Sequence, residues 1–182
     1  MNNRKDKWQY KYHHIFHNAG QDSLYEGLPS NIVRSSLDGI NGTIMSYGQT
    51  GAGKTFTMVG SATNYKHRGI IPRAIGEVFS EIDGRSDAEF KVSVSFMEIY
   101  NGKIFDLLAD EQKGEYQITE EKSGEIKVKG MTREEINNEE EALNALFKGE
   151  MARTTADHML NKRSNRSHCI FTLHFEQKSR LG

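Results

Sequence analysis

The octapeptide Gly48-Gln49-Thr50-Gly51-Ala52-Gly53-Lys54-Thr55 fills every fixed position of the pattern G-x-x-x-x-G-K-[ST]. No other stretch restricts the possible folds as much. Its glycines let the backbone turn with successive N–H groups pointing inward, making a nest that a polyphosphate fills. Lys54 then reaches the β and γ phosphates, and the Thr55 hydroxyl is placed to ligate Mg²⁺. Gly48, Gln49, Thr50, Gly51, Ala52, Gly53, Lys54 and Thr55 are therefore expected to hold a nucleoside triphosphate. Such a loop lies between a strand and a helix. Thr43 to Tyr47, bounded by Asn41-Gly42, predicts the strand, and a helix fading at Gly60 follows the loop.

The chain has 182 residues, 36% of them apolar, which suits one domain with a real core. Its formal charge of −1 supplies no global basic field, so any polyanionic partner must be met by a local patch. A P-loop enzyme acting on nucleic acid is disfavoured because no basic, aromatic-studded surface is visible. The single cysteine, Cys169, excludes an intrachain disulfide and suits a reducing compartment. No apolar run approaches the roughly 20 residues of a membrane span, and the first residues lack a signal peptide's apolar core, so a soluble protein is expected.

Along the chain, Trp8, Tyr10 and Tyr12 alternate with polar residues and predict a first strand continuing toward Ile15 and Phe16. Leu24, Leu28, Ile32, Val33 and Leu37 recur at helical spacing over 21–37, with Asp22 or Ser23 as cap. Pro29 either kinks that helix or splits it. Ala74 to Ile82 continues as a helix, with Pro72 in its first turn. Phe90, Val92, Val94, Phe96 and Ile99 predict a strand over 90–99, and the polar segment containing Gly114 and Gly124 predicts hairpins, with a short strand at 125–129. The acidic run from Glu134 to Glu141 reads as a solvated helix start, and 139–151 as a helix burying Ala142, Leu143, Leu146 and Phe147. Residues 169–175 predict a last strand. Strands and helices alternating around such a loop imply an α/β sheet with helices on both faces.

Four ordered stretches resemble the kinesin motor domain. Asn41 to Met58 is similar to that family's P-loop and flanks, and Gly69-Ile70-Ile71-Pro72-Arg73 to the segment after it. Phe96-Met97-Glu98-Ile99-Tyr100-Asn101, followed by Asp106-Leu107-Leu108, resembles its S-[FY]-x-E-I-Y-N…D-L-L stretch. Asn161 to His168 resembles the switch I motif N-x-x-S-S-R-S-H. Residues 64–69 and 166–171 resemble the kinesin-nine class of cilia and flagella. The resemblance implies an α/β P-loop NTPase fold with a central, mostly mixed β-sheet flanked by helices. It also implies ATP or ADP with Mg²⁺ as ligands, microtubules as partner, and a cytoplasmic, cytoskeletal place, with the cilium or flagellum as the finer one.

The same resemblance distributes roles. Ser164 would lie near the γ-phosphate and its attacking water, Arg166 would form a gating ion pair, and Phe56 would contact the adenine face. Asn161 and Ser167 would help hold the closed switch loop and nucleotide, and Lys103 and Lys122 fall where microtubule contacts are expected. As ordinary surface lysines, those two would have no such role. Asn165 stands where the family has the second switch I serine, expected to help ligate Mg²⁺; an amide oxygen can do so but is bulkier than a hydroxyl. This departure keeps a second reading open, a nucleotide-responsive microtubule-binding module with little turnover. Neither the D-x-x-G-x-E motif of switch II nor the family's first strand with its R-x-R-P adenine-side motif is found in the 182 residues, so the resemblance implies a partial motor domain running from P-loop through switch I. His13, His14 and His17 alternate along the first expected strand without a carboxylate or cysteine beside them, and read as no metal centre. Cys169 reads as a strand residue packed in the sheet.

Overall fold

The computed structural model describes residues 8–61, 64–112, 114–124, 126–159 and 166–180. The run over 21–37 is two helices, α1 (Gln21–Gly27) and α2 (Pro29–Leu37). Leu28, at φ −150° and ψ −54°, breaks the helix between them, and Pro29 starts the second where its missing N–H costs nothing. Neither Asp22 nor Ser23 caps α1, because the helix begins one residue earlier, after Gly20.

After the glycine-rich loop come α3 (Lys54–Met58) and α4 (Ile70–Gly84), then the long strand β1 (Ala88–Tyr100). Asn101 and Gly102 both have positive φ, 49° and 72°, and turn β1 directly into β2 (Lys103–Asp106). Asn-Gly is the residue pair such a two-residue turn favours. A separate hairpin joins β3 (Gln117–Glu120) to β4 (Ile126–Lys129). The acidic run divides: β5 (Glu134–Ile136) is a strand, and α5 (Glu139–Met159) starts only after Asn138. Ile136 decides this, since it is buried and pairs with Val92. The last strand is β6 (His168–Ser179).

β1 organises the sheet. β6 lies antiparallel along one edge from Ala88 to Ile99, while β5 and β2 share the other edge, opposite 92–94 and 97–100. Every pairing among the described residues is antiparallel. Alternate residues of β1 face the helices. Val94 and Phe96 pack with Ile75 of α4 and with Ala142, Leu143, Ala145 and Leu146 of α5. Phe90, Leu173 and Phe175 meet a second cluster, of Tyr25, Val33, Leu37, Ile70, Ala74 and Val78. Both clusters draw on one face of the sheet, so among the described residues the helices cover that face. At the end of β2 the buried Asp106 carboxylate accepts backbone N–H groups from Leu108 at 3.0 Å and Thr132 at 2.6 Å. That fixes the turn which buries Leu107 and Leu108.

Two expected strands have no ladder among the described residues. Trp8, Tyr10, Tyr12 and Ile15 are exposed, and so are Met45 and Tyr47 before the loop. Alternation sets which way side chains point, but a strand also needs a second backbone in hydrogen-bonding reach. Cys169 does sit in β6, but near its start and exposed, not packed in the sheet.

Candidate functional site

Gly51 and Gly53 take left-handed conformations, φ 81° and 91°, which residues with a Cβ rarely adopt. The Ala52 N–H donates to the Gln49 carbonyl at 3.2 Å and closes the turn between them. Lys54 folds back over the loop and donates from Nζ to the carbonyls of Gly48 at 2.8 Å and Gln49 at 2.9 Å. A phosphate entering the loop would exchange those neutral acceptors for charged ones, and hydrogen bonds between ions are the stronger kind. With only five residues in α3, the positive field comes from loop amides and the lysine rather than from a long helix dipole.

The loop is anchored from two sides. The buried Gln21 side chain donates to the Phe56 carbonyl at 2.8 Å and ties α1 to α3. On the other side the Gly69 N–H donates to the Val59 carbonyl at 2.9 Å, and a Cβ at Gly69 would lie 2.6 Å from the Met58 carbonyl oxygen. Only glycine allows that approach between α3 and the start of α4.

Phe56 is half exposed, and its ring centroid is 6.1 Å from that of His67, tilted by 44°. The pair makes an aromatic wall beside the loop. His67 escaped the reading of the sequence because the 3₁₀ turn Tyr65–His67 brings it back over α3; the available signal was Asn64, whose side chain accepts from the Lys66 N–H. Thr55 is exposed next to Lys54. A lone hydroxyl among phosphate oxygens is the donor set Mg²⁺ accepts, since it keeps several waters and uses few protein ligands. Among the described residues no three His, Cys, Asp or Glu side chains gather as a metal site.

Arg166 and Ser167 come immediately before β6, where His168 pairs with Ile99. Arg166 is exposed, whereas the Ser167 hydroxyl is buried with no hydrogen-bond partner among the described residues. A buried hydroxyl left alone costs about 1–3 kcal/mol, so this oxygen fits a polar ligand or loop group. Asn161, Ser164 and Asn165 lie outside the described residues. Lys103 opens β2 and Lys122 lies in the turn between β3 and β4; both are exposed, on hairpins of two different sheets.

A glycine-rich loop of this sequence and shape, set beside an α/β sheet, defines the class: a P-loop nucleotide-binding fold. The kinesin motor domain model matches residues 1–181, and this chain belongs to that family. It is 44% identical over 181 residues to kinesin-like protein KLP1 of Chlamydomonas reinhardtii, covering 98% of this chain and 23% of that protein. To kinesin-like protein KIF9 of Mus musculus it is 46% identical over 185 residues, covering 99% and 23%. Likeness to these two supports the kinesin-nine class. A solved structure of a fast kinesin superposes with a TM-score of 0.84 at 36% identity, over 88% of this chain and 46% of that one. The chain thus spans about a quarter of the length of the curated relatives and about half of the solved chain.

Proposed function

We propose that this chain is the ATP-binding part of a microtubule motor, which couples Mg-ATP hydrolysis to movement along microtubules. The observation that carries the reading is the glycine loop with Lys54 folded over it, in a chain of the kinesin motor family. Phosphoryl transfer to water asks the protein mainly to position groups and stabilise charge. The loop amides from Gly48 to Thr55 hold the phosphates, Lys54 neutralises charge on the β and γ oxygens, and Phe56 with His67 borders the adenine. Thr55 and Asn165 would hold Mg²⁺, which when bound would neutralise charge on the triphosphate. Ser164 positions the attacking water, Asn161 and Ser167 hold the closed loop, and Arg166 pairs with a carboxylate when it closes. Release of the γ-phosphate then frees the loop, and elements gripping the track move.

Lys103 and Lys122 supply salt-sensitive attraction to an acidic microtubule surface. The place of action is the cytoskeleton, and, on the resemblance to the kinesin-nine class, the cilium or flagellum; imaging the tagged full-length gene product in ciliated cells checks this.

Lys54→Ala in the full-length gene product is expected to cut microtubule-stimulated ATP turnover by on the order of a hundredfold or more. Unchanged turnover would sink the proposal. Asn165 favours a second reading, a nucleotide-responsive microtubule binder with little hydrolysis. Asn165→Ser separates the two: turnover that appears only with serine supports the binder, and equal turnover from both proteins excludes it.

A further inference from the structure

The first half of α5 is held to the sheet by apolar side chains, and these end near Phe147. Beyond it the buried Gly149 lies close against the Phe96 ring, and the next side-chain contact is ionic. Arg153 reaches toward the sheet with its Nε 3.9 Å from Oε1 of Glu98 and its Nη1 3.7 Å from Oε1 of Glu150. Glu98 is fully buried in β1, on the face that carries Val94 and Phe96, and its backbone is paired with Cys169 of β6. Glu150 is itself mostly buried, and burial raises its carboxyl above the ordinary range. The Arg153 guanidinium thus lies between two carboxylates, and drawing a buried charge away from its counter-charge is costly in a poorly polarisable surrounding. An apolar contact slides more cheaply. The ionic contact therefore fixes the lengthwise register of α5 on the sheet, a role for which buried ions are well suited.

Residues 160–167 join α5 to β6, and both stems of that connection meet at Glu98: α5 through Arg153, six residues before its end at Met159, and β6 through the Glu98 and Cys169 pairing. We propose that Glu98 and Arg153 are positioning residues for nucleotide turnover, fixing the α5 stem against the ladder that already holds the β6 stem, so that Asn161, Ser164, Arg166 and Ser167 are presented to the phosphates in one register. The turnover part of this inference rests on the function proposed above. The pair itself touches no nucleotide. Phosphate affinity belongs to the loop at Gly48–Thr55, whereas the chemical step depends on the placement of the connection, and a misplacement of about 1 Å can cost on the order of a hundredfold in rate.

The test uses the full-length gene product carrying Glu98→Met together with Arg153→Leu. An apolar pair of similar volume keeps such a site folded more often than a single change that strands one charge. Expected are a melting temperature and an affinity for a fluorescent ATP analogue close to wild type, a kcat lowered on the order of tenfold or more with KM changed far less, and faster amide exchange across 160–167 but not across 48–55. Arg153→Lys, which keeps the charge, should recover most of the kcat. The exchange measurement does not require turnover. If wild type proves not to hydrolyse ATP, the proposed function fails, while faster exchange across 160–167 still supports the positioning role. A folded double variant with wild-type exchange there, or with wild-type kcat, overturns it. So does a kcat that Arg153→Lys leaves as low as the double variant.

Discussion

Glu77 shows how much one side chain can hold together away from the nucleotide site. From α4 its carboxylate accepts the Tyr25 hydroxyl at 2.6 Å, the Ser30 hydroxyl at 2.8 Å and the Arg34 Nε at 2.7 Å, joining three helices. Only 12% of its side chain is exposed, so water replaces few of those bonds. Burial first, and then the bond to Glu77, hold the Tyr25 hydroxyl well above its ordinary range, so it stays a neutral donor. Glu77→Ala is expected to cost about 3 kcal/mol, since each bond to a charged group is worth roughly 1.5–3 kcal/mol and the three are not additive. Tyr25→Phe, which removes one donor, should cost about 1 kcal/mol. Urea unfolding checks both, and a loss under about 0.5 kcal/mol for Glu77→Ala, the range of an ordinary surface change, would contradict the account. This hub was not legible in the sequence: Tyr25, Ser30 and Glu77 are ordinary residues on three amphipathic helices, and only their packing brings them to one point. The glycine loop was legible because its chemistry lies in eight consecutive residues.

At the scale of elements, local signals worked where they were contiguous. β1 followed from alternation over 90–99, and the apolar face of α5 from Ala142, Leu143 and Leu146. The acidic run misled because charge alone does not distinguish a helix start from a half-exposed strand; a single buried residue, Ile136, drew 134–136 onto the sheet. The start of α5 is marked instead by Asn138. Its side-chain oxygen accepts from the Glu141 N–H at 2.8 Å, and the Glu141 carboxylate accepts in return from the Asn138 side-chain NH2 at 3.0 Å and the Asn137 backbone N–H at 2.8 Å, a cap close to the reciprocal kind. Bonds from the Asn137 backbone, and then its side chain, hold the Glu141 carboxyl below its ordinary range. Asn138→Ala is expected to destabilise the fold by about 1 kcal/mol, whereas Asn138→Ser keeps an uncharged acceptor for the Glu141 N–H and should lose much less. Equal losses from the two in thermal unfolding would assign the effect to something other than capping.

For the molecule as a whole, the α/β class was readable while the pairing of its sheet was not. Segments 8–16 and 43–47 carry strand-like residues, yet pairing is a relation between two segments, and the pattern of one is silent about the other. The same holds for β6, whose partner is 12 residues of β1 lying far back in the chain. That long pairing makes global stability depend on what the β1–β6 ladder buries. His174 is half buried in it, with Nε2 2.9 Å from the Ser95 hydroxyl. Burial first, and the nearby positive charge of Arg133 second, lower its pKa below the ordinary 6.5. Between the folded value and 6.5 the unfolded chain binds a proton that the folded chain does not, so stability rises with pH across that window. The contribution of the neutral imidazole is complete above about pH 6.5 and is lost progressively as the pH falls toward the folded pKa. Wild-type protein should therefore lose more melting temperature between pH 7.5 and pH 5.5 than His174→Gln, which keeps a polar side chain near Ser95 without a titrating ring. The comparison cancels the other histidines, which both proteins share. Equal losses in the two proteins would remove His174 from the pH response of this fold.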